Sequence, residues 1–175
     1  MKKLGVFVIA AVAIFLLGQS LSTSNLGAML GDKGPVVQSV TGSGSFVAPE
    51  GDWRTFSFTA RKYADGSVDG QWQRIRRQPG NAKESKSHGI ITCFTIDGNK
   101  AWLGGYATSG LWSTPPDNET GWRVVDNGQG KNAPPDQMSL EYVGASEGFA
   151  DYYCSETPDD PDLYDIESGN IQVRP

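Results

Sequence analysis

Histidine is all but absent from this 175-residue chain: His88 stands alone. A zinc site built from several histidines is therefore excluded within it. No glycine-rich loop of the kind that cradles phosphate occurs. Basic residues are in the minority, 15 Lys and Arg against 20 Asp and Glu, and only Arg74, Arg76 and Arg77 cluster. A nucleic-acid partner is not expected, because strong binding to a phosphate backbone needs a basic face that displaces counterions. Long stretches of helical periodicity are also missing, which argues against a helical or α/β domain.

Long apolar runs are scarce as well. The one that occurs, Leu4–Leu17, follows Met1-Lys2-Lys3 and is closed by Gly18 and a polar segment, Gln19 to Asn25. This is the layout of a secretory signal peptide. A permanent membrane helix needs roughly 20 mainly apolar residues, so cleavage is expected, with residues 1–24 as the signal peptide and Ser22 and Ser24 as the small residues before the cut. No Cys follows the run to carry a lipid anchor. Cleavage removes Lys2 and Lys3 and no acid, so 13 basic residues face 20 acidic ones and the formal charge moves from −5 to −7. The expectation is a secreted or extracytoplasmic chain with no membrane span after cleavage. It has an N-terminal segment at 25–41 and a single domain at 42–175, a size that buries a real core.

Two cysteines remain, Cys93 and Cys154, each in an apolar and aromatic stretch. In an oxidising compartment an isolated pair is expected to form a bridge, contributing roughly 4 kcal/mol for a loop of this length. A catalytic thiol would want His88 beside it. Strict alternation along one strand puts His88 and Cys93 on opposite faces, so the bridge is preferred.

What the sequence has in quantity is turns, from 22 glycines and 10 prolines. Between them lie short alternating or aromatic-rich runs, the strand signal. Strands are expected over Val36–Val40, Trp53–Ala60, Ser67–Arg76, Gly89–Ile96, Lys100–Thr108, Trp122–Asp126, Gln137–Val143, Ala150–Ser155 and Gly169–Arg174. In the second, Phe56, Phe58 and Ala60 should face a core, and Ser57 and Thr59 water. Asp97-Gly98-Asn99 predicts a tight hairpin, and Ala64-Asp65-Gly66 a second turn. Many locally joined strands without crossover helices predict an all-β fold, a single antiparallel barrel or barrel-like sandwich of about eight or nine strands. The long loops are Gln78–Ser87, Ser109–Gly121 and Thr157–Ser168.

The block from Gly89 to Asp136 carries Ile91-Thr92-Cys93, Gly98-Asn99-Lys100-Ala101, Gly104-Gly105, Val124-Val125-Asp126-Asn127-Gly128 and Pro134-Pro135-Asp136. It resembles a group of uncharacterised secreted bacterial proteins similar to the post-COAP type of all-β extracytoplasmic domain. The resemblance spans about two thirds of the mature chain, from near Gly42 to Gly169-Asn170-Ile171-Gln172-Val173. It implies a fold and a location, and no activity.

Two acidic segments offer oxygen ligands. Asp126, Asn127 and Asp136 form one candidate calcium set, and Asp159, Asp160 and Asp162 the other. Calcium takes six to eight oxygens, and neither segment has the EF-hand spacing. Turn capping and simple solvation are the preferred readings. No other cofactor is expected. Arg74 and Arg76 are candidate ligand contacts, or stack on Trp72 on the outside of the sheet. Trp112, in a long loop, is the candidate exposed platform.

No pair of acids stands out as catalytic. The chain is therefore expected to be a non-enzymatic module that binds a ligand or an extracellular or cell-surface partner. The alternatives are a small hydrolase using acidic residues and a purely structural envelope protein.

Overall fold

The computed structural model describes residues 33–80, 83–130, 132–159 and 162–175. The expected signal peptide and Asp160 lie outside them. The chain is all-β and barrel-like. One antiparallel sheet of ten strands curls around a core, in the order β10-β1-β2-β3-β4-β5-β6-β7-β9, with β8 on β6. The strands are β1 (Val36–Val47), β2 (Trp53–Tyr63), β3 (Val68–Arg77), β4 (Glu84–Asp97) and β5 (Lys100–Ser109). They continue as β6 (Glu119–Val125), β7 (Gln137–Ser139), β8 (Tyr142–Ala145), β9 (Leu163–Asp165) and β10 (Ser168–Arg174). β1 starts at Val36, so the sheet already includes residues on the N-terminal side of position 42.

Alternation sets the two faces. Val40, Phe56, Phe58, Ala60, Trp72, Ile91, Leu103, Trp122 and Ile171 are buried on the inner face. Phe58 and Trp72 each meet Trp122 edge-on with ring centroids 6.0 Å apart, a preferred aromatic geometry. Glycine makes room for two of these rings: a Cβ at Gly42 would overlap Phe58, and one at Gly89 would overlap Trp72. The predicted hairpins form. Asp97 pairs with Lys100 around Gly98, whose φ is 59°, and the Gly66 N–H closes on the Tyr63 carbonyl.

Ala150–Ser155 is not a strand. It lies in a helix, α1 (Phe149–Glu156), with Ala150, Tyr153 and Cys154 buried, the i, i+3, i+4 stripe of a helix rather than the alternation of a strand. The predicted Gln137–Val143 strand divides into β7 and β8. The outer side of β5 and β6 gives α1 a flat seat, because a Cβ at Gly104 would meet both cysteine sulfurs and one at Gly121 would meet the Tyr153 ring. Cys93 and Cys154 are bridged as expected, with Cα atoms 6.2 Å apart. The opposite-face expectation for His88 and Cys93 fails. A bulge at Thr92, between the pairs Ile91–Gly105 and Cys93–Gly104, adds one residue and turns Cys93 outward beneath α1.

Candidate functional site

A hollow of about 600 Å³ lies on the outer face of β10, β1, β2, β3 and β4. Register assembles it from two rows of side chains. Gln172, Thr41, Thr59 and Gln71 stand side by side, and so do Asn170, Ser43, Ser57, Gln73 and His88. Gly42, Phe58 and Trp72, the positions between the rows, complete the lining. Side-chain length shapes the trough. Short hydroxyl residues on β1 and β2 form a floor, and longer Asn, Gln and His residues on β10, β3 and β4 form the walls. Core-facing neighbours in each strand force these residues outward, so the groove is the polar half of the pattern that builds the core.

The lining carries hydroxyls, carboxamides and the chain's one imidazole, and no Lys, Arg, Asp or Glu. Gln129 donates to Asn170, and Arg174 donates to Gln172 at 2.8 Å. Among the described residues, the side chains of Thr41, Ser43, Ser57, Thr59, Gln71 and Gln73 make no hydrogen bond within the protein. Their donors and acceptors face solvent, already spaced by the rigid sheet. A second hollow of about 230 Å³ shares Thr59 and Gln71 and reaches Arg61, Asp69 and Ile90. The Tyr63 hydroxyl and, less strongly, the Lys33 ammonium hold the Asp69 carboxyl below its usual range.

Arg74 and Arg76 do share a face with Trp72, but it is the inner face, because Trp72 and Arg74 are both buried. Among the described residues, the guanidinium found over an indole is that of Arg123, 5.7 Å from the Trp102 ring. Arg74 instead reaches Glu141 at 3.2 Å, and Arg54 lies between Glu141 at 3.8 Å and Asp52 at 3.7 Å. Arg76 donates to Asp52. Burial, followed by the neighbouring Arg74 and Arg76 charges, lowers the Arg54 pKa against the opposing pull of Glu141. Arg54, Arg74, Asp52 and Glu141 are buried in this network, and none of its members lines the groove.

The first candidate calcium set is committed elsewhere. Asp126 accepts the N–H groups of Gly128 and Val173 at 2.9 Å. Asp136 accepts those of Asn127 at 2.8 Å and Ile171 at 2.7 Å. All four carboxylate oxygens serve backbone amides, and two of those amides belong to β10, at one end of the sheet. In the second set Asp159 accepts from Arg123, which holds its pKa down, and Asp162 is exposed. Among the described residues, no three His, Cys, Asp or Glu side chains are placed to hold a metal. Trp112 is 59 % exposed with φ 61°, and its ring stands against Gly144, away from the groove.

Gly144-Ala145-Ser146-Glu147-Gly148, running from the last two residues of β8 to the start of α1, has the Gly-x-Ser-x-Gly spacing of a nucleophile elbow. Its geometry is different. Ser146 lacks the positive φ of a strained elbow, and His88 lies on β4, three strands along the sheet from β8. Comparison of the chain with family models, curated proteins and solved structures gives no match.

Proposed function

We propose that the protein is a non-catalytic binding module acting outside the cytoplasm, with the polar groove of β10 and β1–β4 as its ligand site. The observation that carries this reading is the row of unengaged hydroxyls and carboxamides on a rigid sheet, in a hollow of about 600 Å³. That volume lies within the usual range for ligand pockets, and the convergent polar groups would orient what enters. The Cys93–Cys154 bridge, the expected signal peptide and the resemblance to secreted bacterial domains support the extracytoplasmic location.

The hydrolase alternative is less well supported. Its best buried pair, Asp52 and Glu141, is already engaged by Arg54, Arg74 and Arg76 and stands on the face away from the groove. The test is retention on arrays of polysaccharides, peptides and nucleic acids, comparing the wild type with Ser57→Trp. That substitution fills the groove floor from the solvent side. Loss of retention at an unchanged melting temperature supports the module; retention indifferent to Ser57→Trp, or absent in both proteins, overturns it.

A further inference from the structure

We infer that the groove takes a neutral oligosaccharide, an inference that rests on the groove being the binding site. Charge decides against anionic polymers, since the main hollow has no cation and the Arg61 of the neighbouring hollow stands opposite Asp69, whereas recognition of phosphate or carboxylate relies on Arg or Lys. An apolar ligand would strand the hydroxyls and carboxamides without partners, at a cost in free energy for each. A peptide gains most by adding a strand to a free edge. The floor strands β1 and β2 are paired on both sides, so their main chains have nothing to offer.

What remains is a ligand that is neutral and densely hydroxylated. A sugar hydroxyl both donates and accepts, and so do the hydroxyls of Thr41, Ser43, Ser57 and Thr59 and the carboxamides of Gln71 and Gln73. The neighbouring hollow that shares Thr59 and Gln71 lengthens the site along β2 and β3, which suits a chain of rings rather than one.

The test is titration of the ¹⁵N-labelled protein, following the side-chain amide resonances of Gln71 and Gln73. The neutral probes are cellohexaose, maltohexaose, mannohexaose and chitohexaose; the others are an oligogalacturonate and a neutral Gly/Ser decapeptide. At least one neutral hexasaccharide is expected to shift both amides with a Kd of about 1 mM or tighter. Thr59→Ala should weaken it about threefold to tenfold, as loss of one hydrogen bond does. Ser43→Arg, which charges the floor while leaving the core face intact, should abolish it. If the galacturonate or the peptide moves these amides and no hexasaccharide does, the ligand class is overturned and the groove keeps its role. If no probe moves them, both readings fall.

Discussion

The Asp136 carboxylate, on the connection entering β7, accepts the buried N–H of Ile171 in β10 at 2.7 Å. Its other oxygen takes the N–H of Asn127, and Asp126 does the same for Val173. Two acids thus satisfy β10 amides that β1, its partner on the other side, leaves free. Asp136→Ala should cost about 3 kcal/mol, two charge-assisted bonds at about 1.5 kcal/mol each. The melting temperature should fall by roughly 10 °C. Because these oxygens are already taken, excess calcium should leave melting unchanged against chelator. A metal at one hundred times its Kd would add about 2.7 kcal/mol, and a rise of several degrees would contradict this assignment.

The Arg54–Glu141–Arg74 contacts are buried, with the Glu141 side chain 4 % exposed. Removing one charge from such a network leaves the others uncompensated. Glu141→Gln should destabilise by about 3 kcal/mol or more in chemical denaturation. A change under about 1 kcal/mol would show that the arginines find other partners.

The Cys93–Cys154 bridge ties α1 to β4 across 61 residues of sequence. The double variant Cys93→Ala/Cys154→Ala should lose about 4 kcal/mol. Hydrogen exchange should rise first in Phe149–Glu156. Uniform loss of protection across the sheet, with α1 no worse than β2, would argue against this local role.

Asp159 titrates below its usual value of 3.8 because Arg123 donates to it. A carboxyl depressed in the folded state adds stability above its unfolded pKa, and that stability drains away as pH falls through the folded value. Melting in the wild type should therefore drop more steeply below about pH 4 than in Asp159→Asn. The pair is exposed on the Asp159 side, so salt should shrink the difference. Identical acid profiles would remove the interaction from the ledger of stability.

Much of the sheet is legible in the residues. The alternation Phe56-Ser57-Phe58-Thr59-Ala60 places β2 and its two faces, and Asp97-Gly98-Asn99 places a hairpin, because both are local steric facts. The helix is not. Ala150-Asp151-Tyr152-Tyr153-Cys154 is rich in strand-forming aromatics, and the cap that starts α1 comes from elsewhere: Glu119 in β6 accepts the N–H groups of Gly148 at 2.9 Å and Ala150 at 2.6 Å. The Thr92 bulge is equally hidden, since nothing local marks the added residue. The charged candidates carry framework contacts that only the fold reveals: Asp126 and Asp136 accept backbone amides, and Arg74 and Arg76 reach Glu141 and Asp52. The groove residues are ordinary Ser, Thr, Asn and Gln, scattered over separate segments. Only strand register brings them together.

The most direct test of the groove as a binding site is calorimetry with the best-bound hexasaccharide, comparing the wild type with Thr59→Ala/Gln73→Ala. Both residues point to solvent from well-paired strands, so melting should be unchanged. A Kd weakened at least about tenfold, or about 1.4 kcal/mol, is the expected result. An unchanged Kd in a folded double variant would contradict it and place binding elsewhere on the surface.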